Sequence, residues 1–271
     1  MRIEVKNLHF TYPGEVVALR GIDLIIEPGE QVAIVGQNGS GKTTLVKHFN
    51  GLLQPTEGSI RIGEWDTREH TVAEFAARVG YVFQNPDEQL FNSTVRAELR
   101  FGPRNLGFDA DKTEALVDDA IQLTNLEKFQ ETNPYDLSAT WRKMVAMGSI
   151  IALDSPIIIL DEPTTGQDAR SIERIAGIVH ELHRRGKTII TISHDIDFCA
   201  ENFERIIALS QGELLLDGPV LEVITQDKAL ATTYIDPPQL TRLAKKIGLA
   251  ESIRDQQEFL AAFRKFRQEI P

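Results

Sequence analysis

Polar and apolar residues alternate in the first segments of the chain, as they do in half-buried strands. This period of two runs through "RIEVKNLHF" and "VVALRGIDLII" and leads into the apolar run "QVAIVG". The tetrapeptides "YPGE" and "EPGE" separate the three segments and have the composition of turns. The pattern therefore predicts three strands joined by short turns at the start of the chain.

A helical period replaces this alternation between about residues 94 and 154. It is clearest in "DADKTEALVDDAIQLTNL" and "ATWRKMVAMGSIIAL". Further on, the buried-strand patterns "PIIILDE" and "KTIITIS" lie on either side of a helical segment that stops at Gly186. Strand–helix–strand order predicts a parallel sheet with right-handed crossovers, so residues 94–154 form a helical insert within an α/β core.

The C-terminal part of the chain is again helical in pattern and is marked by prolines. It follows a predicted hairpin, "ERIIALSQGELLLDG", and contains "DPPQLTRLAKKIGL" and "QQEFLAAFRKFRQ". A chain of 271 residues can hold one large α/β domain with a small appendage. We therefore place the α/β domain at residues 1–219 and a helical extension at residues 220–271.

Composition and charge narrow the classes of function. The formal net charge of -11 argues against a nucleic-acid-binding surface over the whole chain. A single cysteine, Cys199, rules out an internal disulfide. We expect no secretory signal in "MRIEVKNLHF", and no apolar run is long enough to span a bilayer. A role at a membrane would therefore require docking on a membrane partner.

The most specific motif is "GQNGSGKTT", which lies between a predicted strand and a predicted helix. It fits the pattern G-x-x-x-x-G-K-[ST] of phosphate-binding loops, in the context that this pattern requires. Glycines let successive backbone N–H groups turn towards phosphate oxygens, and the following helix adds its positive N-terminal dipole. Lys42 is suited to reach the β- and γ-phosphates, and Thr43 to offer its hydroxyl to Mg²⁺. The predicted nucleotide-binding residues of this loop are Gly36, Gln37, Asn38, Gly39, Ser40, Gly41, Lys42, Thr43 and Thr44.

A second motif, "IIILDE", places two carboxylates directly after a buried strand. In open α/β sheets, ligands bind at the carboxyl ends of the strands. Asp161 is suited to hold Mg²⁺ through a water molecule, and Glu162 to polarise an attacking water. The same pair of residues also occurs in solvated turns, so the motif gains its meaning from the phosphate-binding loop upstream.

With these motifs in this order, the chain resembles the ATP-binding cassette ATPases over nearly its whole length. The resemblance implies an α/β fold of the P-loop NTPase type. Its parts would be a mainly parallel sheet core, an N-terminal antiparallel β subdomain, the helical insert and the small C-terminal helical extension. The resemblance also implies ATP and Mg²⁺ as cofactors. A second cassette is the implied partner, with the extension as a dimerisation element.

Four further residues match positions of that family. Tyr12 in "FTYPG" corresponds to an aromatic residue that stacks on adenine, and Gln84 in "YVFQNP" to a glutamine that senses Mg²⁺ and the attacking water. Asp168 in "TTGQD" corresponds to the aspartate of a loop that crosses the dimer, and His194 in "TISHD" to a histidine that contacts the γ-phosphate. The implied catalytic set is Lys42, Gln84, Glu162 and His194, and the implied Mg²⁺ set is Thr43, Gln84 and Asp161.

A finer resemblance is to the cassette subunits of energy-coupling factor importers, which take up vitamins, cobalt or nickel. It rests on "VFQNPDEQLFNSTVRAELRFGPRNLG" and "DPPQLTRLAKKIG". It implies a transmembrane coupling protein and a membrane substrate-binding subunit as partners, no nucleic acid, and a peripheral location on the cytoplasmic face of the cell membrane. Asp87, Glu88 and Glu98 are expected either to meet arginines of the coupling protein or to form a solvated acidic face.

The chain departs from the family at its signature, Leu-Ser-Gly-Gly-Gln, which acts in trans on the ATP held by the partner. Here the five residues are "LSATW". Ser138 keeps its hydroxyl, but Ala139 and Thr140 lack the backbone freedom of glycine. Trp141 cannot accept a hydrogen bond. Because the hydrolytic set is intact beside a weakened signature, we expect a heterodimer whose other cassette supplies an intact signature. The alternative is a homodimer that tolerates "LSATW" in both sites.

Two other functions fit parts of the sequence. A soluble mechanoenzyme of DNA repair or translation uses a similar cassette, but such proteins carry long coiled-coil insertions or two cassettes in one chain. Neither pattern occurs in this sequence. A nucleotide-sensing cassette with low turnover is favoured by "LSATW" and disfavoured by the intact Glu162 and His194. The expected function is ATP hydrolysis that powers a membrane importer.

Overall fold

The computed structural model describes residues 1–233, 235–249 and 253–269 of the 271-residue chain. Within these residues the strands are β1 (Ile3–Tyr12), β2 (Val16–Ile26), β3 (Gln31–Val35), β4 (Glu57–Ile62), β5 (Trp65–Asp66), β6 (Val79–Val82), β7 (Ile157–Asp161), β8 (Thr188–Ile192), β9 (Arg205–Ser210) and β10 (Glu213–Pro219). The helices are α1 (Lys42–Phe49), α2 (Val72–Phe75), α3 (Val95–Asn105), α4 (Ala110–Thr124), α5 (Ala139–Ile151), α6 (Ala169–Arg184), α7 (Ile196–Asn202), α8 (Val220–Val223), α9 (Asp227–Thr232), α10 (Gln239–Lys246) and α11 (Gln256–Glu269).

A six-stranded sheet in the order β10-β9-β3-β8-β7-β6 lies at the centre of the fold. Its strands run parallel except for β10, which pairs antiparallel with β9 at one edge. Every residue of β3, β6, β7 and β8 is buried, because both faces of the sheet are covered. Along β7, Ile158 and Leu160 face the helical side, whereas Ile157 and Ile159 face a second sheet. The predicted parallel sheet is confirmed.

The second sheet is antiparallel, with the strand order β2-β1-β4-β5. Its central strand, β1, pairs with both β2 and β4. Ile3 and Ile60 from this sheet share one core with Leu45 and Phe49 from α1 and with one face of the central sheet. This confirms the expected N-terminal antiparallel β subdomain. It also means that the helix after the phosphate-binding loop is held by the core of both sheets.

The helical insert consists of α3, α4 and α5, which lie between β6 and β7 in the chain and pack on one another. Two of these helices begin at capping residues. The Thr94 hydroxyl accepts a hydrogen bond from the N–H of Ala97 (3.2 Å), and the Asp109 carboxylate accepts one from Lys112 (2.7 Å). The insert occupies the region where the helical period predicted it.

The C-terminal helices divide between two cores. Val220 and Leu230, from α8 and α9, belong to the large core of the main domain. Ala244 of α10 and Ala262 of α11 belong to a separate small core. The extension that begins at residue 220 therefore packs on the main domain first and forms its own core only from α10 onwards. In the described parts of the chain, no helix combines the length and the apolar character that crossing a membrane requires.

Gly58 in β4 allows β1 and β4 to approach closely. Its φ is +84°, and a Cβ there would lie 2.2 Å from the carbonyl oxygen of Asn7 and 2.4 Å from that of Lys6. Gly186, just after α6, has φ +80° but open space around it. We expect Gly58→Ala to lower the free energy of unfolding by roughly 3 kcal/mol or more, against about 1 kcal/mol for Gly186→Ala. Urea unfolding followed by circular dichroism measures both losses, and equal losses would contradict this steric account.

Candidate active site

The phosphate-binding loop leaves the end of β3 and leads directly into α1, so its backbone bends sharply. Gly36 has φ +153°, and a Cβ there would lie 2.4 Å from the carbonyl oxygen of Leu209 and 2.5 Å from Oγ of Ser40. Glycine is therefore required where the loop approaches β9. The turn after β9 supports the loop from another side, because the N–H of Gly212 donates to the carbonyl oxygen of Ser40 (3.0 Å).

Lys42, the first residue of α1, is buried beside the loop. Its ammonium donates hydrogen bonds to the carbonyl oxygens of Gly36 (2.7 Å) and Gln37 (3.0 Å). Burial lowers the pKa of Lys42, and the nearby carboxylates of Glu162 and Asp161 oppose that shift. No side chain caps the first turn of α1, so its N–H groups remain available to an anion. A buried ammonium and an uncapped helix end together suit a phosphate group.

Asp161 ends β7 and is only 4% exposed. Its Oδ2 accepts a hydrogen bond from the Tyr81 hydroxyl (2.5 Å), whereas Oδ1 has no hydrogen-bond partner among the described residues. Burial raises the pKa of Asp161, and the charge of Glu162 adds to the rise, while the Tyr81 hydroxyl opposes it. A buried carboxylate oxygen without a partner is costly unless a cation or its bound water meets it. These residues therefore fit a Mg²⁺ site.

Glu162 and His194 stand just beyond the ends of the neighbouring parallel strands β7 and β8. Oε2 of Glu162 lies 2.8 Å from Nδ1 of His194, and because an ionised carboxylate only accepts, Nδ1 is the donor. Glu162 has φ +46°, which is uncommon for a residue with a side chain, and its N–H donates to the carbonyl oxygen of Ile192 (2.9 Å). The sheet thus holds Glu162 in a sparsely populated conformation that brings its carboxylate to His194.

One pocket of about 660 Å³ collects most of these groups. The predicted site residues that line it are Gly36, Gln37, Asn38, Gly39, Ser40, Gly41, Lys42, Thr43, Thr44, Gln84, Glu162 and His194. Asp161 and Tyr12 are not among the lining residues. Asp161 lies under the pocket on β7, which is compatible with a metal contact through water.

The C-terminal extension also lines the pocket, which the sequence patterns did not predict. Asp236, Gln239 and Arg242 are among the residues that it contributes. The N–H of Gln239 donates to Oδ1 of Asp197 (2.8 Å) in α7, and Arg242 pairs with Asp236 (2.8 Å). The paired prolines of "DPPQLTR" signal the start of a helix, but nothing local in that segment indicates which distant loop it meets.

Tyr12 contacts a residue of the pocket lining, whereas Gln84 lines the pocket itself. The Tyr12 hydroxyl lies 3.1 Å from Oγ1 of Thr44, and its ring packs edge-on against Phe10. Its stacking on adenine stays a prediction. Gln84 is exposed and lines the pocket, while its carbonyl oxygen accepts a hydrogen bond from the ammonium of Lys143 (2.7 Å). Lys143 was not predicted, although a lysine inside the buried run "KMVAM" is the signal that marks it.

The signature residues lie apart from this pocket, at the start of α5. Ser138 is the N-cap residue of that helix without a side-chain capping bond, and both Ser138 and Ala139 are exposed, whereas Thr140 is half-buried. The Trp141 indole packs within its own chain, with its ring centre 4.8 Å from that of Phe129. The tryptophan therefore supports the helix from inside, and the exposed end of α5 remains accessible to a partner.

Asp168 caps α6. Its Oδ1 accepts a hydrogen bond from the N–H of Ser171 (2.8 Å), and Ser171 is the main cause of the lowered pKa of Asp168, helped by Arg174 and Arg170. The residue is exposed. Its contact across a dimer stays a prediction.

A family model described as ABC transporter matches residues 19–165 of this chain. That range holds the phosphate-binding loop, Gln84, the start of α5 and both carboxylates after β7. The chain belongs to the ABC transporter family. It is an ABC cassette ATPase, and the expected fold of that family is confirmed.

Similar proteins extend the match beyond that range. An energy-coupling factor transporter ATP-binding protein, EcfA, of Methanothermobacter thermautotrophicus is 38% identical over 92% of this chain and 80% of its own length. CbiO1 from Clostridium perfringens, described as part of the ABC transporter complex CbiONQ, has a TM-score of 0.77 and 30% identity, covering 91% of this cassette and 98% of that chain. The ATP-binding cassette MJ0796, a dimer bound to ADP and Pi, has a TM-score of 0.73 and 28% identity. The match covers 80% of this chain and 98% of that chain.

The Glu162→Gln variant of this cassette is expected to bind ATP normally but to hydrolyse it at least about 100-fold more slowly. The amide keeps the shape of the side chain but cannot accept a proton from water. Steady-state ATPase rates and a nucleotide-binding titration measure the two effects separately. Glu173→Gln, an exposed change on α6, is the matched control and should leave both unchanged. Wild-type turnover in Glu162→Gln would show that another group activates the water.

Proposed function

We propose that this cassette hydrolyses Mg-ATP to power a membrane importer of the energy-coupling factor type, for a vitamin or a transition-metal ion. The EcfA relatives and CbiO1 support the importer type by their names. The observation that carries the proposal is an apolar groove on the helical insert. The segment that holds Gln84 joins this groove to the nucleotide pocket, so docking in the groove and chemistry in the pocket share one loop.

In this proposal each group of the pocket has a task in hydrolysis. Lys42 and the N–H groups of the loop hold the β- and γ-phosphates. Thr43, Gln84 and, through water, Asp161 hold Mg²⁺, which when bound neutralises phosphate charge. Among the described residues, the hydrogen bonds of the Glu162 carboxylate all go to Oε2, which leaves Oε1 to orient the attacking water and accept its proton. His194 holds that carboxylate in place, and its exposed ring is free to meet the γ-phosphate.

The groove has a volume of about 660 Å³ and lies between α3 and α5. Phe91 and Phe101 stand on its edge, 59% and 48% exposed, with their ring centres 4.7 Å apart in an edge-to-face contact. Leu106, Ile150 and Leu153 also line it. Exposed aromatic residues in an apolar groove are typical of a protein–protein contact. The occupant we propose is a helix of a transmembrane coupling protein.

The three acidic residues near the groove differ in their availability. Glu98 is buried, and its carboxylate accepts hydrogen bonds within the chain, including one from the N–H of Asn92 (2.7 Å). Asp87 pairs with Arg142 (3.1 Å). Of the three, Glu88 is exposed without an ion pair among the described residues, so it is the one left to meet an arginine of a partner. The contact that we propose is therefore mainly apolar.

Removing one aromatic ring from the groove is expected to uncouple the cassette from its membrane partner. Phe101→Ser should weaken the affinity for the coupling protein by about 30-fold, measured by co-purification in detergent. This is the effect of losing about 2 kcal/mol of binding free energy at the centre of the contact. Basal ATPase of the cassette should not change. Leu215→Ser, at an exposed apolar residue (40%) on the far strand β10, is the control. Recovery of DNA or ribosomes in place of a membrane protein would contradict the importer and favour a soluble mechanoenzyme.

We also infer that the cassette works as a heterodimer in which the two ATP sites differ. "LSATW" does not disturb this chain's own pocket, because Trp141 packs inward and Ser138 lies at the exposed end of α5. A weakened signature would therefore face the partner's ATP. Exposed apolar side chains on α10 and α11, among them Leu243, Leu260 and Phe263, support a dimer contact through the extension.

ATPase measurements on this chain alone and mixed with a second cassette distinguish the heterodimer from the homodimer. The chain alone is expected to hydrolyse ATP slowly. Adding a paralogous cassette with an intact Leu-Ser-Gly-Gly-Gln should raise the rate about 100-fold, because an intact signature would stabilise the transition state by about 3 kcal/mol. Glu162→Gln in this chain should remove the gain. Full activity of the chain alone, unchanged by the partner, would show a homodimer that tolerates "LSATW".

A further inference from the structure

Lys143 is a buried lysine that forms no ion pair among the described residues. It is 1% exposed, on α5, and is among the largest fully buried side chains. Burial lowers the pKa of Lys143 to about 8, against the opposing charges of Asp161 and Glu162. Burying an ammonium is costly, and Lys143 has only main-chain carbonyl oxygens, not a carboxylate, within hydrogen-bond distance. We therefore expect the ammonium of Lys143 to have a function.

Its hydrogen bonds identify that function. The ammonium donates to two consecutive main-chain carbonyl oxygens, those of Gln84 (2.7 Å) and Phe83 (3.1 Å). The Gln84 side chain is exposed and lines the nucleotide pocket. Lys143 therefore fixes the backbone of the one residue in this loop whose side chain faces the pocket. It leaves that side chain free.

Other contacts tie the same loop to α5. Nε2 of Gln89 donates to the carbonyl oxygen of Ala146 (2.7 Å) and to Oγ of Ser149 (2.9 Å), while its Oε1 accepts from the N–H of Phe83 (3.1 Å). With the Arg142–Asp87 ion pair, these bonds fasten residues 83–89 along the side of the helix. The glutamine loop and α5 thus form one connected unit.

We propose that Lys143 is a positioning residue that transmits displacements of α5 to Gln84. The helix begins next to the exposed Ser138, and Lys143 lies five residues further on, about 7.5 Å along the axis. A nucleotide held by a partner cassette and met by the start of α5 would in this way adjust Gln84 in this chain's own pocket. The inference rests on the proposed function, because it gives Gln84 a part in hydrolysis.

A double-mutant cycle on the full-length chain, mixed with its partner cassette, tests the link. Lys143→Met removes the donor and the charge but fills the space, and it should lower kcat about 10- to 100-fold, as a misplaced group does, with unchanged affinity for ATP. In a Gln84→Ala background, Lys143→Met should have no further effect on kcat, because Lys143 acts through Gln84. Lys187→Met, which removes a lysine that donates to the carbonyl oxygen of Asp154 away from the pocket, is the control and should leave kcat unchanged.

The outcomes separate the two ideas. Equal losses from Lys143→Met with and without Gln84 would overturn the link and leave the proposed function standing. Wild-type kcat in Gln84→Ala would overturn the role of Gln84 and the link with it. Urea unfolding checks that Lys143→Met folds, since two main-chain carbonyl oxygens lose their donor in that variant. Lys143→Leu provides a second apolar side chain for the same cycle if the methionine does not fit.

Discussion

Parallel strands that end at one edge of a sheet are the constraint on which the rest of this molecule depends. In the register of β7 and β8, Asp161 is the partner of Ile192, so the residues that follow both strands emerge side by side. Main-chain bonds continue past the strand ends, since Glu162 donates to Ile192 and Ser193 donates to Ile34 (3.2 Å). A slip of one residue between β7 and β8 would separate the carboxylate from His194 and reverse every side chain of the strand.

The buried charges at that edge are close to one another without being paired directly. Lys42 and Lys143 both donate to main-chain carbonyl oxygens, and among the described residues neither forms an ion pair with Asp161 or Glu162. Burial moves the pKa of each lysine down and that of Asp161 up, and the opposite charges nearby offset part of each shift. Oδ1 of Asp161 therefore stays available, although Oδ2 accepts a hydrogen bond from Tyr81. Buried charges without direct partners lower the stability of the protein before a ligand binds, and they suit a site for phosphate and a cation.

The sequence predicts a residue of this site when that residue belongs to a contiguous motif, and fails when its neighbours in space lie far away along the chain. The loop and the Asp161–Glu162 pair are contiguous patterns that carry their own strand and helix, and the structure places them at the expected edge. His194 was expected only through the order of motifs that the chain shares with its family, and the fold brings it to Glu162. Arg242 and Lys143 could not be predicted in the same way. Arg242 pairs locally with Asp236, but the other residues of the pocket that it lines lie in distant segments. The acceptors of Lys143 are also distant in sequence, and a lysine in an apolar helical run indicates neither its direction nor its acceptors.

Helix α5 explains why the signature can change without damage to the chain's own pocket. Its first residue after Ser138 is exposed, Lys143 points inward to the carbonyl oxygen of Gln84, and Ile150 lines the groove on the insert. One helix thus has an exposed N-terminal end, contacts the loop of Gln84 beside the nucleotide pocket and lines the groove on the insert. Ser138, Ala139 and Thr140 do not line the nucleotide pocket, and Trp141 packs beside Phe129 against the large core. The side chains changed in the signature therefore lie outside this chain's own pocket, and α5 reaches that pocket through the bonds of Lys143 and Gln89 to the loop of Gln84.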